Sequence, residues 1–186
     1  MVTFQKRYQE NILLGRACKF TADVLLIIVF AYTLISFTCD RVMVVGSSMQ
    51  PVFQNEDSCL VNRFAYAFSG PSRFDLVAFK MHDTGSAKTY VKRVVGLPGE
   101  TVKIKNQKLY INGEELEKDV SDALILTAGM AGSEIKLGKD EYFVLGDNRN
   151  NSEDSRFSTI GILSKGNITG KVWAVCSPFD RAGLVK

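Results

Sequence analysis

Twenty consecutive residues, Phe20 to Cys39 (FTADVLLIIVFAYTLISFTC), carry one charge, Asp23. Wound as an α-helix, such a run spans about 30 Å, the thickness of a bilayer's hydrocarbon core. A cleavable signal peptide is the competing reading, since it also has a basic start and an apolar middle. The uncharged run Val24 to Cys39 lies at the long edge for such a segment, and Phe37-Thr38-Cys39-Asp40-Arg41 offers no small-x-small cleavage site. Thr38 also stands where a lipoprotein cysteine would follow Gly, Ala or Ser. A retained anchor over 20–39 is therefore expected, with Asp23 near enough to its start to reach water. Lys6, Arg7, Arg16 and Lys19 precede the run, while Asp40 and Arg41 follow it. The positive-inside rule then makes residues 1–19 a basic cytoplasmic tail and sends 40–186 across the membrane.

Charge excludes one class of partner. The chain has 23 Lys+Arg against 20 Asp+Glu, a net charge of +3, and residues 1–19 account for that excess. A neutral body lacks the cationic surface on which nucleic-acid binding depends, so no nucleic-acid partner is expected. The chain holds one histidine, His82, in the polar stretch Met81-His82-Asp83-Thr84-Gly85, where it reads as a loop residue. Cys18, Cys39, Cys59 and Cys176 show no C-x2-C pairing. Neither a metal site nor a disulfide framework is expected, and no cofactor. Cys59 and Cys176 lie in apolar runs and read as small buried hydrophobes.

Beyond residue 41 helical periodicity is scarce. Leu76 to Phe79, Tyr90 to Val95, Thr101 to Ile104, Leu109 to Ile111, Glu141 to Leu145 and Lys171 to Cys176 are short, β-branched or aromatic, and separated by Gly, Pro or Asn. Asn112-Gly113 closes one of these runs in a tight hairpin turn. The body is expected to be a mainly antiparallel β domain with a small elaboration at about 105–139. Within that elaboration, residues 117–139 fit helix and loop equally well.

Three segments carry polar residues that strand patterning does not explain. They are Val44-Val45-Gly46-Ser47-Ser48-Met49-Gln50-Pro51, Tyr90 to Glu100 (YVKRVVGLPGE), and Leu145 to Phe157 (LGDNRNNSEDSRF). Singly each has an ordinary explanation: Ser48 as a turn residue, Lys92 as a solvated cation alternating with Arg93, the last loop as a salt-bridged turn. Jointly they offer a serine, almost no histidine to activate it, and a lysine on an apolar strand, and Ser-Lys pairs are a variant of nucleophilic catalysis. Such a lysine must be neutral, whereas a pKa near 10.4 leaves well under about one per cent neutral at pH 7. Burial among Tyr90, Val91, Val94 and Val95 would lower it.

On these residues the chain resembles the bacterial type I signal peptidases, membrane-anchored Ser-Lys serine proteases. Ser48-Met49-Gln50-Pro51 is similar to that family's S-M-x-P box, Arg73 to Phe79 to its R-x-D-[IL]-V-x-F strand, Tyr90 to Glu100 to its lysine box, and Gly146 to Arg156 to its G-D-N-R-x-x-S-x-D-S-R box. The resemblance implies the fold, a transmembrane helix followed by an antiparallel β-sheet catalytic domain with a small inserted subdomain. It also implies removal of signal peptides after small-x-small sites, with Ser48 as nucleophile and Lys92 as general base. Ser152 would orient Lys92, and Asp147, Asp154 and Arg156 would brace the loop. The Ser48 N–H would help form the oxyanion hole, whose second donor is unassigned because Gly46 holds the place where some members have a serine. Asn150 stands where aspartate is frequent. Val42, Val44, Met49, Phe53, Tyr90 and Val91 would draw the shallow substrate pockets. The implied partners are secreted preproteins, the phospholipid membrane and the protein translocation channel, and the implied location is the cell membrane, single-pass.

Two other readings fit the same residues less fully. A Ser-Lys protease with one dedicated substrate, or one that cuts itself, would use the same dyad. Ala65-Tyr66-Ala67 and the Ala-Gly pairs at 128–129 and 131–132 follow no apolar run, which disfavours self-cleavage. A non-catalytic assembly domain would be expected to have lost Ser48, Lys92 or Ser152, and all three are present.

Overall fold

The computed structural model describes residues 2–81, 88–117, 119–121 and 123–185, with side chains described from Leu14 onward; His82 lies outside these residues. Two compact units result, Met1–Thr38 and Cys39–Lys186.

The first unit is one helix, α1 (Val2–Thr38), of which Leu14–Thr38, 25 residues, is long and apolar enough to cross a membrane. The hydroxyls of Thr21, Thr33 and Thr38 donate to the carbonyls of Cys18, Val29 and Leu34 at 2.8 to 2.9 Å. These bonds satisfy polar groups within the helix itself, so they need no water. The expected boundaries shift: residues 2–19 continue the same helix instead of forming a separate tail, and Cys39 belongs to the first strand.

The second unit is antiparallel β throughout. Its strands are β1 (Cys39–Met43), β2 (Ser58–Asn62), β3 (Leu76–Lys80), β4 (Thr89–Gly96), β5 (Thr101–Lys105), β6 (Lys108–Ile111), β7 (Glu114–Glu115), β8 (Ile135–Lys136), β9 (Glu141–Leu145), β10 (Leu163–Ser164), β11 (Ile168–Ser177) and β12 (Gly183–Leu184). A large sheet runs in the order β1-β2-β11-β3-β4-β9-β10, with β12 added to β11, and a small sheet runs β7-β6-β5-β8. The small sheet is the expected elaboration. It begins at Thr101, earlier than 105, because β5 pairs within it, and the described part of 117–139 is loop, a short 3-10 turn at Gly129–Gly132 and β8.

Local chemistry explains the hairpins. Asn112 and Gly113 both take positive φ (53° and 86°), the geometry a two-residue turn between right-twisted strands requires. Asn106 and Gln107, with φ of 52° and 64°, make the same turn between β5 and β6 with no glycine to announce it.

The core lies in three clusters. Met49, Phe53, Cys59, Val61, Leu76, Ala78, Val91, Val172 and Val175 belong to one; Val77, Phe79, Val94, Tyr142, Val144 and Leu163 to a second; Val95, Val102, Ile104, Phe143 and Leu145 to a third, which joins the two sheets. Fully burying a side chain such as Phe53 contributes roughly 1.5–3 kcal/mol. β4 feeds all three clusters, and every residue from Val91 to Gly96 is buried. Any cation carried by this strand must therefore be accommodated inside the protein.

Candidate active site

Lys92 and Arg93 are consecutive on β4, so their side chains leave by opposite faces, yet both are buried, with 3% and 1% of their surface exposed. The two faces treat them differently. Arg93 donates from Nε and Nη2 to the two carboxylate oxygens of buried Asp147, each at 2.7 Å, and from Nη1 to the Phe74 carbonyl at 2.8 Å. Lys92 forms no ion pair among the described residues. Its Nζ lies 2.6 Å from Ser48 Oγ, and burial lowers its pKa from 10.5 to about 8, against the opposing pull of the Asp154 and Glu153 carboxylates. At that distance a neutral amine could accept a proton from the serine hydroxyl.

Ser48 sits in a turn after β1. Gly46, at φ +92°, donates its N–H to Asn55 Oδ1 at 2.7 Å, and Gln50 N–H closes onto the Ser47 carbonyl at 3.2 Å. The loop after β9 grips the turn from its other side. Asn148 N–H donates to the Ser48 carbonyl at 3.1 Å, Asn148 Nδ2 to the Ser47 carbonyl at 3.1 Å, and Asn151 Nδ2 to Ser47 Oγ at 2.8 Å. A Cβ at Gly146 would come within 2.5 Å of the Ser48 carbonyl oxygen and 2.2 Å of Ser152 Oγ. Glycine is what lets the loop approach the Ser48 backbone this closely.

The loop is held by buried charge. Asp154, fully buried, accepts Arg156 Nε at 2.8 Å and Nη2 at 2.9 Å, and accepts the Gly146 N–H at 3.1 Å. Arg156 also donates to the carbonyls of Arg149 and Thr127 at 2.5 and 3.0 Å. Arg149 makes a two-pronged ion pair with Asp119. The Asn150 amide accepts from Leu126 N–H and donates to the Leu124 carbonyl, both at 2.9 Å. An aspartate at 150 would lack the donor for that second bond, which is the physical use of asparagine here.

A groove of about 650 Å³ opens onto the pair, lined by Arg41 to Val45, Ser48, Lys88 to Lys92 and Glu153. Four of the expected pocket residues, Val42, Val44, Tyr90 and Val91, line it. Met49 and Phe53 do not: both are wholly buried in the core beneath, where their size packs against Val44, Cys59 and Val61. Ser152 also departs from expectation. Its hydroxyl donates to the Glu153 carbonyl at 3.4 Å and, among the described residues, makes no hydrogen bond to Lys92. Cys59 is buried as expected, whereas Cys176 is half-exposed and its thiol donates to the Ser58 carbonyl at 3.1 Å.

A family model described as signal peptidase, peptidase S26, matches residues 18–176. The chain belongs to the signal peptidase S26 family. Signal peptidase I P of Bacillus subtilis subsp. natto is 34% identical over 185 residues, covering 95% of each chain. Signal peptidase I V of Bacillus subtilis (strain 168) is 40% identical over 138 residues, 68% of this chain and 79% of that relative. A crystal structure of a signal peptidase I from Enterococcus faecalis V583 shares 34% identity over 54% of this chain and 95% of that one, at a TM-score of 0.43. As a member of the signal peptidase family the chain is a peptide-bond hydrolase.

Several residues of the site escaped the sequence reading. Arg93, Asn148, Asn151, Arg149 and Asp119 all hold the Ser47-Ser48 turn or the loop against it. For Asn148 and Asn151 a signal existed, since a run of three asparagines within four residues, 148 to 151, exceeds what a turn needs. Asp119 gave none, because nothing in a polar stretch marks which carboxylate will meet Arg149.

Proposed function

We propose that this signal peptidase family member is a membrane-anchored serine endopeptidase that releases secreted proteins from their signal peptides after small-x-small sites, with Ser48 as nucleophile and Lys92 as general base. The observation that carries the reading is the 2.6 Å contact between Ser48 Oγ and a buried Lys92, which forms no ion pair among the described residues, on the floor of an open groove. With its pKa at about 8, about a tenth of Lys92 is neutral at pH 7, hundreds of times more than at the ordinary value.

The neutral amine takes the Ser48 proton as Oγ attacks the scissile carbonyl carbon, and the tetrahedral oxygen is met by the Ser48 N–H. Collapse breaks the C–N bond, and Lys92 returns its proton to the departing amine. A water then gives Lys92 a proton and attacks the acyl ester, and Ser48 recovers its hydrogen as the signal peptide's new carboxylate leaves.

The groove's walls favour an extended substrate. On the side of β4 away from β3, β9 pairs only Arg93, Val94 and Gly96, which leaves the edge of 89–92 without a strand. β1 is an edge strand of the large sheet. A peptide added between these edges gains main-chain hydrogen bonds that set its register, and Val42, Val44, Tyr90 and Val91 leave only shallow apolar space for its side chains. Ser48 follows the end of α1 by ten residues, so anchoring concentrates the enzyme at the membrane face where signal peptides emerge. The basic start of α1 favours a cytoplasmic N-terminus with the β unit outside.

The test is cleavage of a preprotein in liposomes by the wild type beside Ser48→Ala and Lys92→Met proteins shown to be folded. Release of the mature protein by wild type alone supports the reading. Cleavage by either variant at the wild-type rate removes its residue from the mechanism.

A further inference from the structure

The peptide unit joining Ser47 to Ser48 is held in a particular way. Its carbonyl oxygen receives two donors, Gln50 N–H at 3.2 Å and Asn148 Nδ2 at 3.1 Å. Its N–H, among the described residues, meets no acceptor. A peptide unit is planar and trans, so its C=O and N–H point in opposite directions within one plane. Whatever aims the carbonyl therefore aims the N–H, and a hydrogen bond accepted at the oxygen also polarises the N–H beyond it. The unit is half of what the reaction needs at this point: a donor fixed in direction before the substrate arrives.

We infer that Asn148 is a positioning residue for the oxyanion site, its side-chain amide holding the Ser47 carbonyl so that the Ser48 N–H is aimed at the oxygen of the scissile bond. This rests on the Ser48-Lys92 reading of the site. It is separable from simple docking of the loop, because two other bonds do the docking. Asn148 N–H to the Ser48 carbonyl is a main-chain bond that survives any side-chain change, and Asn151 Nδ2 still holds Ser47 Oγ. Truncating Asn148 removes one donor from the Ser47 carbonyl and leaves the turn attached. Asn148 is half-buried and, among the described residues, its side chain forms no hydrogen bond to Lys92 or Ser48 Oγ, so the bond between those two is left in place.

Three proteins, wild type, Asn148→Ala and Ser48→Ala, are compared on a soluble small-x-small peptide, and their binding of the same sequence ending in a boronic acid is measured. The boronic acid forms a tetrahedral adduct on a serine and places an oxygen where the oxyanion forms. For Asn148→Ala the expected result is a kcat lower by about 10–100-fold, somewhat less than loss of a whole oxyanion donor. KM and the midpoint of the pH profile stay near the wild-type values, and boronic acid affinity falls by the same factor as kcat/KM. Asn148→Asp, which keeps the shape but sets a carboxylate against the Ser47 carbonyl, loses kcat at least as far, and it serves should the alanine protein fail to fold. The inference is overturned if Asn148→Ala keeps its kcat within about threefold, or if kcat falls while boronic acid affinity is retained. If Ser48→Ala still cuts the peptide, it is the underlying site assignment that fails.

Discussion

A lysine made to hold its proton weakly is a cost to the fold as well as a tool. The folded pKa of Lys92 lies below the unfolded value, so the unfolded chain binds more protons between about 8 and 10.5. Stability therefore rises with pH through that window, and the penalty is fully present below it, at roughly 3 kcal/mol. Lys92→Met is expected to stabilise the protein by about 1–3 kcal/mol at pH 7 in denaturant titrations, the gain shrinking as wild type is taken toward pH 10. Activity should follow the same group. kcat/KM rises about tenfold per pH unit below a midpoint near 8, and Glu153→Gln, which removes a carboxylate that raises the lysine's pKa, moves that limb to lower pH in steady-state profiles. At this scale the sequence showed Lys92 plainly, as the odd residue in an apolar strand. It gave no sign that Arg93, the other half of the alternation, is buried as well. β4 has no solvent face over that stretch, and only the sheet order reveals it. Met49 and Phe53 were misplaced for a similar reason: an apolar residue near Ser48 looks the same in sequence whether it lines the groove or underlies it.

Between elements, the decisive joint is the one from β4 to the loop after β9. Arg93 and Asp147 are both buried and share two hydrogen bonds of 2.7 Å. Removing one charge strands the other. Asp147→Asn should cost about 3–5 kcal/mol, read as a lower denaturation midpoint, with activity lost in parallel as the loop releases Ser47 and Ser48. Strands rich in β-branched residues, β3 to β6, β9 and β11, were legible from composition and spacing. β1 was not, because Asp40 and Arg41 interrupt Cys39 to Met43 as a β-type run. β7, β8, β10 and β12 have two residues each, too few for a period of two to show, and pairing partners alone create them.

For the molecule as a whole, α1 and the β unit are separate compact bodies, and the apolar helix was the most legible feature of all, since a twenty-residue run with a single charge needs no partner to be recognised. A protein of residues 39–186 is expected to fold and to cleave a soluble peptide with kcat near that of the full chain. Processing of membrane-inserted preprotein, measured in liposomes, should fall by about 100-fold as the tether's local concentration is lost. What composition could not show is that the small sheet is a detour between two neighbours. β4 and β9 pair directly, Val94 opposite Val144, and everything from Leu97 to Asp140 leaves and returns between them. Its two margins differ in what they tolerate. Around Gly113, in the turn of β6 and β7, there is open space, although its φ of +86° keeps that one position for glycine, whereas a side chain at Gly129 would strike the Arg156 carbonyl oxygen at 2.2 Å. The first margin is thus a splice point, where a tag, a fluorophore or a foreign module can be carried as cargo without the catalytic residues registering its weight.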